Sequence, residues 1–332
     1  MDFNGIIGQR EIVESLKSLL RNNKIGHAYI FSGPKGIGKE TMARVFASVL
    51  LCSSDAVGAV DESCAKCQSC RLFYNSSNPD FNVVEAGGSS ISVEDIRNMQ
   101  HDISIRPLYS QRKVYLILEA EKMTVQAQNC LLKTLEEPPK YAVIILTTSN
   151  YDSLLETIRS RSMRYDFKKN SFDEVVEFLK ERTGKDSGEI GFIASYADGV
   201  IGSALELMES EDFKEIREKA VELVLRLNGA KLVDIFEIYD FFEENRDRID
   251  QILDIMLVFY RDLLVAGKSG NENILINSDK KDIILRNVDK FSMEKLLKNI
   301  ETIEAVRKNI KQNANYQLAI EVMLMKLQEE NS

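Results

Sequence analysis

Histidine and tryptophan are scarce: the 332-residue chain has two histidines and no tryptophan. Histidine-based catalysis therefore has only His27 and His101 to draw on. His27 stands just before an apolar run with nothing nearby to act as a catalytic partner, and reads as a packed or hydrogen-bonded loop residue. Long apolar runs are missing as well. The longest, such as Ala142 to Leu146, are far too short to cross a bilayer, so no membrane partner is expected. The first residues, MDFNGIIGQREIVESL, lack a basic-then-apolar layout, and a cytoplasmic location is the expectation. Positive charge is not in excess. A net charge of −9 argues against a surface that grips nucleic acid all over, while a local basic patch stays open. What remains is 44% hydrophobic and 29% charged, an ordinary globular composition with length for two or three domains.

The most informative stretch is Gly33-Pro34-Lys35-Gly36-Ile37-Gly38-Lys39-Glu40-Thr41. It follows the apolar run Ala28 to Phe31 and opens an amphipathic segment from Thr41 to Leu51. Strand, glycine loop and helix in that order are what a phosphate-binding P-loop requires. Gly33, Gly36 and Gly38 let backbone N–H groups turn toward phosphate oxygens, and Lys39 supplies a point charge. The pattern fails at its last place, where Glu40 replaces the Ser or Thr hydroxyl that should hold Mg²⁺. Thr41 is a poor substitute, because one step along a helix turns a side chain by about 100°. The apolar run from Lys113 to Glu119 fits a central parallel strand. In P-loop ATPases such a strand ends in Asp-Glu, which hold the metal and the attacking water. Here the pair is Leu118-Glu119. Both protein contacts to Mg²⁺ are thus missing, which should cost several kcal/mol at a transition state. Hydrolysis at this site is not expected, and ATP with Mg²⁺ is doubtful as a cofactor.

Of five cysteines, four fall at Cys52, Cys64, Cys67 and Cys70. Three of them, with two residues between each and the next, suit a metal better than disulfides in a cytosolic chain. Zn²⁺ held by four thiolates would be structural, with no open position for water. An iron–sulfur cluster is the rival, because the same short spacing occurs in ferredoxins. Cys130 lies in a helical run and reads as a small buried hydrophobe.

Elsewhere the chain punctuates itself. Residues 9–21 carry Ile12, Val13, Leu16, Leu19 and Leu20 at helical spacing. A short strand is expected at 81–85, and Ser92 three residues before Asp95 resembles a helix N-cap. The segment 125–139 reads as a helix stopped by Pro138-Pro139, and 142–149 as a second buried strand. Short helices are expected from Ser171 to Leu207, and almost nothing but helix from Asp212 onward. One face collects Leu253, Met256, Leu257, Tyr260, Leu263 and Leu264. A single long helix is expected from about Met293 to Leu327.

HAYIFSGPKGIGK, the four-cysteine insert, NCLLKTLEEPP, and TIRSRS after a Thr-rich strand together resemble the bacterial DNA polymerase III clamp-loader subunits, within the AAA+ ATPases. The similarity covers residues 1–210 closely and the rest loosely. It implies an α/β fold: an AAA+ P-loop domain at 1–167 with a parallel sheet and a zinc-binding insert at about 52–70. A small helical lid at 168–209 and an all-helical collar at 210–332 would follow. In that family Ser-Arg-Cys carries an arginine finger that reaches a neighbouring subunit's ATP site. Ser160-Arg161-Ser162 matches it, so Arg161 takes the role; an intrachain salt bridge is the other reading, and Arg159 is the alternative arginine. The family's sensor position falls at Thr148. Gly202 stands where active members place an arginine. Implied partners are other clamp-loader subunits in a hetero-pentameric ring and, through that complex, the sliding clamp and primer-template DNA. A largely non-catalytic subunit is the leading expectation. A catalytic ATPase subunit of the same machine (gamma/tau-like) is the alternative. A zinc-containing nucleic-acid-binding protein is a third reading, weakened by the acidic composition and by the lack of aromatic residues interleaved with Lys and Arg in the insert.

Overall fold

In a computed structural model, residues 2–54, 62–184, 188–229, 232–269 and 274–329 are described. They form two compact units, Met1–Phe178 with Asp198–Ser203, and Leu179–Ala197 with Ala204–Ser332.

The first unit is built on five parallel strands, β1 (Ala28–Ser32), β2 (Phe81–Val84), β3 (Lys113–Ile117), β4 (Ala142–Thr148) and β5 (Met163–Asp166). Their order across the sheet is β2-β3-β4-β1-β5. Every residue of β1, β3 and β4 is buried, as strands covered on both faces must be. Alternation along each strand then divides the core in two. Tyr29, Phe31, Val114, Leu116, Val143 and Ile145 pack beneath α1 (Arg10–Arg21), α2 (Lys39–Leu50) and α3 (Gln68–Tyr74). Ile30, Tyr115, Ile117, Ile144 and Leu146 face α4 (Val93–Ile103), α5 (Val125–Glu136) and α6 (Glu156–Arg159). This is the P-loop AAA+ arrangement that the resemblance implies. The cap at Ser92 closes reciprocally, its hydroxyl accepting from the Asp95 N–H while the Asp95 carboxylate accepts from the Ser92 N–H at 2.8 Å. α5 stops at Glu136, two residues before the proline pair.

Short helices α7 (Phe172–Thr183), α8 (Gly188–Tyr196) and α9 (Ile201–Glu209) occupy the stretch where they were expected. The second unit continues with α10 (Glu211–Leu227), α11 (Leu232–Glu244), α12 (Ile249–Ser269), α13 (Lys281–Asn287), α14 (Met293–Lys311) and α15 (Tyr316–Gln328). Leu253, Met256, Tyr260 and Leu263 of α12 are wholly buried, and α12 packs against both α10 and α14. Buried Arg217 forks onto Asp279 with two 2.8 Å bonds and lies over the Phe192 ring at 3.6 Å. The single helix expected from Met293 to Leu327 is in fact two. Asn313 takes a left-handed φ of 60°, which Asn tolerates, and Asn315 caps the next helix by accepting from the Leu318 N–H. Apolar spacing runs through the break and hides it; the asparagines make it.

Candidate functional site

The P-loop lies between the end of β1 and the start of α2, and it borders a cavity of about 530 Å³. Gly36, Gly38, Lys39, Thr41, Glu119 and Thr148 line this cavity, together with Glu40, Leu118 and Gly202. Gly33 sits one step deeper, donating its N–H to the Thr148 carbonyl at 3.1 Å. The residues singled out in the sequence for nucleotide binding therefore do converge. Gly36 and Gly38 hold φ of 78° and 99°, values that a side chain would resist.

Several of these groups already have partners within the chain. Lys39 is buried, and its Nζ donates to the carbonyls of Gly33 and Pro34 at 2.6 and 2.7 Å. Burial pushes its pKa down, partly offset by Glu121 and Glu119. Glu40 turns along α2 to pair with Arg44 at 2.8 Å. Leu118 occupies the place just past β3, its N–H bonded to the Val84 carbonyl. Glu119 follows in a left-handed turn (φ 47°), donates its N–H to Thr147 Oγ1, and accepts from Lys122 at 2.6 Å. Thr148 is fully buried, with its hydroxyl accepting from the Asn150 N–H.

Two features were not legible beforehand. Glu121 and Glu85 also line the cavity, so four carboxylates face two lysines, Lys35 and Lys39. Burial pushes the Glu121 carboxyl up, but bonds from the Ser149 hydroxyl and N–H outweigh it and keep the group ionised below the usual range. Glu121 lies two residues beyond the Leu118-Glu119 pair, which is the only hint the sequence offered. The second feature is how closely Gly202 approaches. Its N–H donates to the Gly36 carbonyl at 2.9 Å, and a Cβ on Gly202 would lie 2.8 Å from Gly36 Cα and oxygen. An arginine there would collide with the P-loop backbone as it stands.

The four cysteines meet as their spacing suggested. Their sulfurs all lie within 4.8 Å of one another, and Cys64 Sγ is 3.9 Å from Cys70 Sγ. A tetrahedron of thiolates at zinc–sulfur distances of about 2.3 Å has edges of about 3.8 Å, so the donor set fits such an ion. Backbone N–H groups of Cys64, Cys67 and Cys70 point at the sulfurs of Cys52, Cys64 and Cys67 at 3.3–3.4 Å. Burial raises the Cys70 thiol, whereas at Cys67 hydrogen bonds from Ser53 and Cys70 overcome burial and bring it to about 6. The part of the expected insert at 55–61 lies outside the described residues.

Arg161 does not line the P-loop cavity. It follows α6, with Nη1 donating to the Thr157 carbonyl at 3.1 Å and Nη2 paired with Glu136 at 3.0 Å. Its side chain is partly exposed, and the Glu136 carboxylate more so. Arg159 instead pairs with Asp152 at 2.8 Å and lies over the Tyr151 ring.

Residues 8–171 match the family described as DNA polymerase III, delta subunit, and residues 211–329 match its C-terminal counterpart. The delta-prime subunit of DNA polymerase III from Bacillus subtilis (strain 168) is 30% identical over 325 residues, covering 97% of this chain and 96% of that one. The chain belongs to the DNA polymerase III delta-prime family. The tau subunit of the same organism is also similar, 28% identical over 348 residues. That match covers 98% of this chain but 61% of tau. Near-complete mutual coverage favours the delta-prime reading over a gamma/tau-like one. A gamma subunit-related protein from Thermotoga maritima is a similar solved structure, with 20% identity, a TM-score of 0.45 and coverage of 94% of this chain and 98% of that one.

Proposed function

We propose that this delta-prime family member is a largely non-catalytic subunit of a clamp loader. It would sit with other clamp-loader subunits in a hetero-pentameric ring that uses ATP to place the sliding clamp on primer-template DNA. The observation that carries the non-catalytic part is the state of the P-loop. Lys39 is spent on the loop's own carbonyls, Glu40 on Arg44, and the Gly202 backbone on Gly36. With Glu40 in place of a hydroxyl and Leu118 in place of an acidic residue, both positions from which the motif supplies its magnesium ligands are altered.

The chemical contribution of the subunit is then Arg161, given to a neighbour's ATP. A guanidinium is permanently charged and can bridge two phosphate oxygens. Its partly exposed ion pair with Glu136 is worth only about 0–1 kcal/mol, so exchanging that carboxylate for a phosphate costs little. Zn²⁺ is the metal we assign to Cys52, Cys64, Cys67 and Cys70, in a structural role. The division into a P-loop domain (1–167), lid (168–209) and collar (210–332) belongs to the same proposal, as does a cytoplasmic location. Among the described residues no helix is long and apolar enough to cross a membrane. The test is ATP turnover by the isolated chain and by a reconstituted ring. The isolated chain should remain at background while the ring turns over; ordinary turnover by the isolated chain would overturn the proposal.

A further inference from the structure

The loop between α4 and β3 combines two properties that rarely occur together. It presents apolar side chains to solvent, with Ile105 at 52%, Leu108 at 69% and Tyr109 at 37% exposure. Its backbone is nonetheless firmly held. Asp80, 1% exposed, accepts the N–H groups of Leu108, Tyr109 and Ser110 at 2.7, 2.8 and 2.9 Å. A buried carboxylate satisfied by three amides fixes three consecutive residues at once.

The holder's carbonyl accepts from the Val114 N–H of β3 at 2.8 Å, and its own N–H is held from the side of the cysteine site. Cys67 caps α3, its sulfur accepting from the Cys70 N–H, and Cys70 lies buried in the first turn. Between them in that turn is Ser69, fully buried, whose hydroxyl bonds to Ser110 Oγ at 2.7 Å. Asn78 Nδ2 donates to both the Ser69 carbonyl and its hydroxyl at 2.9 Å, and Asn78 Oδ1 accepts from the Asp80 N–H at 2.8 Å. The backbone of the first turn of α3 thus joins Cys67 and Cys70 to Ser69, and hydrogen bonds run on from Ser69 to the loop. α3 has seven residues, too few to persist by helix propensity. Phe73 packs it against Phe81 of β2, ring centres 4.9 Å apart.

We propose that the four-cysteine site is a positioning device: metal held there fixes α3, and Ser69, Asn78 and Asp80 pass that order to the loop presenting Leu108 and Tyr109. This rests on the metal reading above. The other end of the loop is anchored independently. Buried Lys113 donates to the Asp102 carbonyl and pairs with its carboxylate, both at 2.9 Å, and Tyr141 donates to the Ile103 carbonyl. Metal loss should therefore free the segment from Leu108 to Ser110 and spare the end of α4.

Amide hydrogen exchange on the full chain tests this, with zinc bound, after chelation under reducing conditions, and after zinc is restored. The amides of Leu108, Tyr109 and Ser110 should exchange about tenfold faster or more without zinc and recover with it. Those of Ile103 and Ile105, and of β4, should not change. A second variant, Ser69→Ala, should speed the same three amides while keeping the metal stoichiometry. It decides the matter should chelation loosen the whole sheet. Unchanged loop amides in the stripped chain, or in a Ser69→Ala chain that still holds metal, overturn the inference alone. A chain that binds no metal overturns the metal reading along with it.

Discussion

At the scale of single residues, the account turns on what Glu40, Leu118 and Gly202 remove. A P-loop needs its lysine free and a metal beside it, and here the lysine is satisfied within the loop. Replacing Glu40→Thr together with Leu118→Asp should recover metal-dependent nucleotide binding more than either change alone. Calorimetric titration with and without Mg²⁺ checks this, and equal weak signals from all three variants would count against the reading. Gly202→Arg should behave differently. It adds a cation in the expected direction, but its Cβ meets the Gly36 backbone at 2.8 Å. The expected result is a loss of about 1–3 kcal/mol of stability without improved binding, read from denaturant unfolding. Wild-type stability in this variant would show that the loop yields easily. The glycines, Lys39 and the acidic replacements were all visible in the sequence, because motif positions are local. The engagement of Lys39 with Gly33 and Pro34, the Glu121 carboxylate and the Gly36–Gly202 contact were not, because each depends on chain segments brought together by the fold.

Elements repeat that distinction. The cap of α4 was legible because Ser92 and Asp95 are three residues apart and act on each other. Ser92→Ala should cost about 1 kcal/mol, measured by unfolding, since the Asp95 N–H loses its acceptor. The break between α14 and α15 was not legible from apolar spacing, which continues across it; only the Asn313 and Asn315 backbone states reveal it. The cysteine insert falls between these cases. Its ligands could be named from spacing alone, whereas the bond from Ser69 to Ser110 joins residues 41 apart and could not. Elemental analysis of the purified chain should find one zinc per molecule, with iron or no metal contradicting the assignment. Cys64→Ala should loosen the segment around α3 and leave the P-loop sheet largely intact, because a local metal site chiefly stabilises its own segment. Near-native far-ultraviolet dichroism with lost zinc is the expected pair of observations.

For the whole molecule, the central claim is that a chain with a disabled site of its own completes the site of another. The sheet supplies the geometry for this. Leu154 and Ile158 are buried against it and anchor the short α6, and Arg161 projects just beyond. Arginine fingers in phosphoryl transfer contribute on the order of 10³–10⁵ in rate. Arg161→Lys should recover little of that, because an ammonium lacks the planar fork. The most direct measurement is DNA-stimulated ATP turnover by a ring reconstituted with Arg161→Ala, with assembly checked by its size. The account predicts a correctly assembled ring in which hydrolysis at the neighbouring site falls sharply. Unchanged turnover at every site of an intact ring would contradict it and leave Arg161 as the partner of Glu136 alone.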